Sequence, residues 1–308
     1  MLITAKTMKT KSAINIDYLK ICYRQPEGLF NEIASTQDDL LLRSGYNLLR
    51  VEQDELRIVL KVLIPDSEGP WTLGTLTLNN GTSFQGRAFF AYDNRALYEV
   101  LSWLPGQRPS NHIVLMDFIA EDLGLQYNNC TRIDIALDTT VNILARLRKR
   151  IRNVEELDMY LCRHKVNDPD GKLDGYGEYY ASTRKRLLRR PEIIIGQAKD
   201  EGTKLKMYDK SRELQEGRPD KAERYFCWLG KDWNSDKDHI YRVEVSIRNE
   251  DLKNMWQKLS KRLRPEELDL PFLTQIQSEE WLAWYFFEGL NSLIYFRRRE
   301  TGEKVEAI

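Results

Sequence analysis

The stretch T-R-I-D-I-A-L-D (131–138) decides the reading of this chain. Side chains alternate across a strand. Ile133, Ile135 and Leu137 therefore share one side, and Arg132, Asp134 and Asp138 the other. Two later stretches repeat the pattern. In K-L-K-M-Y-D-K (204–210), Leu205 and Met207 oppose Lys206, Tyr208 and Lys210. In Y-R-V-E-V-S-I (241–247), Val243 and Val245 oppose Arg242, Glu244 and Ser246. In a shared sheet, one face becomes core. The other gathers three carboxylates, several cations and one tyrosine, the groups that a metal-assisted attack of a tyrosine on a phosphodiester requires.

Upstream of this stretch the chain reads mostly as strands. S-A-I-N-I-D-Y-L-K-I-C-Y (12–23) alternates, 27–34 is helical and L-R-I-V-L-K-V-L-I (56–64) is a strand. Asn79, Asn80 and Gly81 sit between two alternating runs and predict a tight hairpin, because Asn and Gly tolerate positive φ. Residues 94–104 read as a helix stopped by Pro105-Gly106, and 113–123 as another. Downstream, the spacing of Leu144, Leu147, Ile151, Val154, Leu157 and Leu161 predicts one long amphipathic helix over 141–163. Residues 167–178 are a polar, glycine-rich loop. Strands at 192–196 and 204–208, joined by the turn 199–202, lead to a short helix at 210–216 and then to a helix over about 250–263. The end of the chain reads as helical and aromatic. The expected class is α+β, a mainly antiparallel sheet with helices on one face. The order strand, helix, strands, helix occurs twice, which points to two similar units. The expected division is 1–110, 111–264 and a helical segment 265–308.

The bulk numbers exclude several classes. The chain has 308 residues, 42% hydrophobic and 31% charged, with no formal net charge. The overall balance is not that of a strongly basic nucleic-acid protein. The cations are instead concentrated in R-L-R-K-R-I-R (146–152) and R-K-R-L-L-R-R (184–190). Each run is either a solvated helix face or a phosphate-binding patch. Cys22, Cys130, Cys162 and Cys227 form no C-x-x-C pair, which fits a reducing compartment. The start of the chain has no apolar core of the signal-peptide kind. The most apolar window, 281–296, is interrupted by Glu288, Asn291 and Ser292 and is short for a membrane span. A cytoplasmic protein with no membrane partner is expected, and Trp281, Trp284, Tyr285 and Phe287 read first as core, with a dimer surface or a helicase contact as the other readings. His112, His164 and His239 are isolated. That excludes enzymes that hold a metal with paired histidines, and a zinc hydrolase as well. Neither a phosphate-cradling G-x-x-x-x-G-K-[ST] loop nor a G-x-S-x-G elbow occurs.

Asp134 and Asp138 fall on one strand face about 13 Å apart at strand rise. Asp134 is the better placed ligand, and Asp138 stands where it can cap the following helix. Glu244, between valines on another strand, must meet solvent, a cation or a metal. Oxygen donors of this kind suit Mg2+ or Mn2+. The alternative is that these acids pair with Arg132 and Arg242. Tyr208 is the candidate nucleophile. A phenol needs a metal or base to become reactive, and cations to hold the phosphate. Lys206 and Lys210 flank it on its own face. Tyr179 and Tyr180 are rivals close to the second basic run.

The three segments in this order, R-I-D-I-A-L-D, K-L-K-M-Y-D-K-S-R-E and Y-R-V-E-V-S-I-R, resemble the Rep_trans type of replication initiation factor. These are the initiators of rolling-circle plasmids and the related relaxases of integrative conjugative elements. The resemblance covers roughly 130–265. It implies a protein that binds a double-strand origin as a homodimer and nicks one strand. A tyrosine joins the 5′ phosphate, a 3′ hydroxyl primes synthesis, and the same chemistry later reseals the displaced strand. Carried over by position, Tyr208 is the nucleophile. The metal ligands come from Asp134, Asp138 and Glu244, and Arg132, Lys210 and Arg242 support phosphate or carboxylate. DNA contacts fall to Arg184, Lys185, Arg186, Arg189, Arg190 and Lys206, and a host helicase is an expected partner. The chain departs from the family pattern in its long segment between the first and second motifs. Two other readings stay open: a DNA-binding protein without chemistry, and a metal nuclease that uses water as nucleophile.

Overall fold

A computed structural model describes residues 10–36, 39–66, 69–98, 113, 115–162, 164–165, 186–196, 202–217, 219–230, 232–261 and 271–308. Alternating segments become strands. They are β1 (Ser12–Arg24), β2 (Leu40–Leu41), β3 (Asn47–Gln53), β4 (Arg57–Ile64), β5 (Trp71–Asn79), β6 (Arg87–Tyr92), β7 (Gln126–Thr139), β8 (Leu157–Leu161), β9 (His164–Lys165), β10 (Ile193–Ile195), β11 (Lys204–Asp209), β12 (Tyr241–Arg248), β13 (Ile294–Arg298) and β14 (Lys304–Val305). The helices are α1 (Leu29–Ser35), α2 (Asn94–Tyr98), α3 (Leu115–Asp122), α4 (Ile143–Arg152), α5 (Lys210–Gly217), α6 (Pro219–Leu229), α7 (Asn249–Ser260), α8 (Phe272–Gln275) and α9 (Glu279–Leu293).

The class is α+β. One large antiparallel sheet has the order β10-β11-β12-β7-β1-β6-β5-β4-β3-β2, and a four-stranded sheet has the order β14-β13-β8-β9. T-R-I-D-I-A-L-D is the second half of β7, and the two other diagnostic segments are β11 and β12. Two compact units form from interleaved stretches rather than consecutive ones. The first takes Met1–Ile14, Ala136–Ser246 and Ala283–Ile308, and the second Asn15–Ile135 and Ile247–Leu282. Antiparallel pairing joins strands that lie far apart in the chain, so compactness does not follow linear order.

In the first unit, Leu205, Met207, Val243 and Val245 are fully buried. Helix α4 buries Leu144, Leu147 and Ile151 and packs on β11 and β8. Side chains of this size contribute about 1.5–3 kcal/mol each when removed from water. In the second unit a meander, β3 to β6, buries Leu48, Ile58, Leu60, Val62, Leu73, Leu76, Leu78 and Phe90.

Three expectations are corrected. The long helix over 141–163 ends at Arg152, where the Asn153 N–H bonds the carbonyls of Lys149 and Arg150. Leu157, Met159 and Leu161 are buried from a strand that pairs with β13. The i, i+4 spacing of Leu157 and Leu161 fits period 2 as well as period 3.6, and a strand partner far along the chain decided between them. The hairpin exists, but its turn is not the tight Asn-Gly one. Asn79 pairs with Arg87, and residues 80–86 form the connection. The Asn80 N–H is drawn to the Leu56 carbonyl, and Gly86 takes the positive φ of 68°. The C-terminal stretch is not wholly helical, because β13 and β14 follow α9. Strands β2 and β3 were not anticipated. The predicted loop at 167–178 lies outside the described residues, as do most of the 94–104 helix and the 199–202 turn. Among the described residues, no helix is long and apolar enough to cross a membrane.

Gly74 shows how tightly the meander is packed. It pairs with Val62 and Tyr92 beside the β4–β5 bulge, and a Cβ there would meet the Ala91 carbonyl and lie 2.5 Å from Phe90 Cζ. Gly74→Ala is expected to lower unfolding free energy by about 1–3 kcal/mol through overpacking. Urea titration followed by circular dichroism measures it, and an unchanged midpoint would contradict the close approach.

Candidate active site

The antiparallel register of β11 and β12 places Tyr208 directly opposite Arg242 and Lys206 directly opposite Glu244. Directly opposed residues share a face, with Cβ atoms about 4.5–5.5 Å apart. Four of the predicted site residues thus meet on one patch. Lys206 Nζ lies 4.3 Å from the centre of the Tyr208 ring, and Lys210 Nζ, from the first turn of α5, lies 5.8 Å from it. Tyr208 is 8% exposed, but two ammonium groups cover its ring and a guanidinium residue faces it across the ladder. Of these cations, Lys210 is paired with Glu213 and Arg242 with Asp138, and Lys206 stands opposite Glu244. Cations over a phenol ring are held by its quadrupole and stand ready for an anion. Lys210 also bonds Glu213 at 2.7 Å and lies 5.2 Å from the Tyr225 ring centre.

Arg242 also belongs to a buried polar cluster. Arg242 donates from Nε to Asp138 Oδ1 at 2.9 Å, and from Nη2 to Asp138 Oδ2 at 2.9 Å. Nη2 also donates to the Tyr225 hydroxyl at 2.5 Å, and that hydroxyl donates to Asp138 Oδ2 at 2.6 Å. Asp138 is fully buried and Arg242 is 1% exposed. A buried charge survives only when paired and hydrogen-bonded, and here each carboxylate oxygen has a donor. Asp138 therefore does not cap the following helix. Asn142 caps α4 instead, accepting from the Ala145 N–H at 2.9 Å. Sequence reasoning missed Tyr225, since an aromatic on an amphipathic helix carries no signal that separates it from core.

Asp134 and Arg132 pair with each other in the second unit. Arg132 Nε donates to Asp134 Oδ1 at 2.7 Å, its Nη2 donates to Oδ2, and its guanidinium lies 4.6 Å from the Tyr18 ring centre. Burial pushes the Tyr18 phenol above its ordinary value, with Arg132 and Arg248 pulling it down and Asp134 pushing it up. The alternative in which the acids pair with Arg132 and Arg242 is thus realised for both aspartates, in buried positions rather than on a solvated face. Among the described residues, no three His, Cys, Asp or Glu side chains converge in a set that could hold a metal ion.

The basic runs are partly described. Arg146, Lys149 and Arg152 are exposed on α4, and Arg148 donates to the Arg190 carbonyl. Arg186, Arg189 and Arg190 are exposed. Arg186 and Arg190 line a cavity of about 340 Å3 with Glu192, Ile194 and Lys204. Arg184, Lys185, Tyr179 and Tyr180 lie outside the described residues.

No family model matches the chain, and no curated protein matches it either. Among solved structures, a rolling circle replication initiator protein from Geobacillus stearothermophilus aligns with 96% of this chain and 89% of its own, at 12% identity and a TM-score of 0.41. At that identity and score, no residue role transfers from it.

Asp138→Ala leaves the Arg242 charge buried and unpaired, and is expected to cost about 3–5 kcal/mol. Tyr225→Phe, which removes one hydrogen-bonding hydroxyl, is expected to cost about 1–3 kcal/mol. Replacing both charges by apolar residues, Asp138→Leu with Arg242→Met, should recover most of the first loss. Chemical denaturation of the three variants checks all of this, and a neutral Asp138→Ala would refute the cluster.

Proposed function

We propose that this protein initiates rolling-circle replication by nicking and resealing one DNA strand through Tyr208. The observation that carries the reading is the β11–β12 register, which gathers Tyr208, Lys206, Arg242 and Glu244 on one patch with Lys210 beside it. The order of the three strand motifs, with its resemblance to Rep_trans-type initiators, supports it from the sequence side.

In this reading the Tyr208 oxygen attacks phosphorus at the origin. A bond from Tyr208 Oη to phosphorus forms and the bond from phosphorus to the 3′ oxygen breaks. The phenol proton leaves to a base, and the departing 3′ oxygen takes up a proton. The product is a 5′-phosphotyrosine and a free 3′ hydroxyl. The reverse step reseals the strand, and the covalent link conserves the bond energy, so no nucleotide hydrolysis is needed. Lys206 and Lys210 move from the ring onto the phosphate, where cations stabilise the charge that develops. Glu244 lies diagonally across from Tyr208, roughly 7–8 Å away, and is the carboxylate of the patch suited to take the proton through water. Arg242 is held by Asp138 and Tyr225 and positions the β12 side of the site.

Mg2+ or Mn2+ belongs to the proposal with fewer ligands than expected. Asp134 and Asp138 are each held by an arginine, so Glu244 is the carboxylate that this reading assigns to a cation. A bound cation lowers the effective pKa of a phenol and neutralises phosphate. The proposal also includes a DNA origin, a homodimer, a cytoplasmic location and a host helicase. A conjugative relaxase would use the same chemistry. A second reading, a DNA-binding protein without chemistry, is favoured by the two arginine–aspartate pairs, which satisfy both acids without a metal.

The test is incubation with labelled single-stranded oligonucleotides and Mn2+, followed by denaturing electrophoresis and mass mapping. A covalent adduct on Tyr208 is expected, absent in Tyr208→Phe and after chelation. Cleavage without an adduct would assign the reaction to water. Neither cleavage nor adduct with any divalent cation would leave the binding reading.

A further inference from the structure

We infer that the four-stranded sheet of the first unit is a second nucleic-acid site, a stacking platform for a single-stranded polynucleotide. It goes beyond the nicking patch and does not depend on Tyr208. Strands β8 and β13 pair antiparallel, with Tyr160 opposite Tyr295 and Asp158 opposite Arg297. Alternation sends Leu157, Met159, Leu161, Ile294 and Phe296 inward, where they are buried. The other side of the same strands carries the two tyrosines and Arg297.

The rings of Tyr160 and Tyr295 stack face to face, with centroids 4.7 Å apart and planes within 4°. Both side chains are half-buried and so keep part of their surface in solvent. Among the described residues, Tyr160 has no second aromatic neighbour. Arg297 Cζ lies 5.9 Å and Lys304 Nζ 5.2 Å from the Tyr295 ring centre, and these two exposed cations are register partners between β13 and β14. One Arg297 donor goes to the Gly302 carbonyl at 3.0 Å. Asp158 is buried and accepts from Arg299 Nε at 3.0 Å, Glu303 pairs with Arg298 at 3.3 Å, and Glu306, two residues beyond Lys304, is exposed. Arg297 and Lys304 thus set two cations beside a partly exposed pair of flat rings.

That chemistry fits one occupant. Bases present planar π-faces that extend an aromatic stack, and phosphates match the adjoining cations. Single strands offer both at once, whereas a duplex hides its base faces. As a purely structural pair, two tyrosines across a ladder contribute about 0.2–1 kcal/mol.

The experiment uses the full chain carrying Tyr208→Phe, so that loss of the platform and failure of nicking are read separately. Fluorescence anisotropy follows binding of labelled oligo(dT), oligo(U) and a DNA duplex. Tyr160→Leu and Tyr295→Leu are each expected to weaken single-strand binding about 5- to 150-fold, the range of one lost base stack. Tyr160→Phe keeps the ring and should keep wild-type affinity. Lys304→Gln should reduce the salt slope by about 1. Tighter binding of oligo(dT) than of oligo(U) assigns the platform to DNA, and the reverse to RNA. Unchanged single-strand affinity in both leucine variants, with the unfolding midpoint preserved, overturns the inference, as does an equal loss on the duplex.

Discussion

The buried pairing of Arg242 with Asp138 holds the candidate site together. It anchors β12 to the end of β7, and Tyr225 on α6 closes the cluster with one hydroxyl. Such a pair is costly to desolvate, and a well-packed apolar substitute is often as stable. What it provides is register. A one-residue slip of a strand moves every side chain to the opposite face. With Arg242 held on Asp138, the face of β12 that carries Arg242 and Glu244 is set, and the β11–β12 ladder places Tyr208 and Lys206 opposite them.

The electrostatics of the patch follow from that register. Lys206 and Lys210 approach the Tyr208 ring from two elements, β11 and α5. Two lysines lie near the ring of a largely buried phenol, and Arg242 stands opposite it in the ladder. Fixed charges in a site screened from water act more strongly than the same charges at the surface. This is the physical basis for reading the patch as a place where a phosphate is held and attacked. The small sheet repeats the combination of tyrosine and cation in a less buried form, with stacked rings in place of one covered ring.

Two aspartates of similar sequence context end in different states. Asp134 is paired with the arginine two residues before it on its own strand, while Asp138 is paired with an arginine from another strand and with a tyrosine from a helix. The carboxylate four residues further along is the one that the protein uses to hold its architecture. Glu244 is half-buried and faces a lysine across the ladder, which suits proton transfer or cation binding better than the sealed environment of Asp138.

Much of this was legible in the chain. Alternation alone identifies β1, β7, β11 and β12 and the side of each that carries charge, because a period of two is local and leaves its mark residue by residue. It also places Lys206 and Tyr208 on one face. The rest depends on contacts between distant segments. Leu157 and Leu161 fit a helix or a strand equally well, and only β13, more than a hundred residues away, made them a strand. Asp138 reads as a ligand or cap until Arg242 and Tyr225 arrive from elsewhere to occupy both oxygens. Local pattern says which side chains share a face, while long-range pairing decides which charge meets which, since charge neutralisation in a buried site is a property of the assembled neighbours and not of any one stretch.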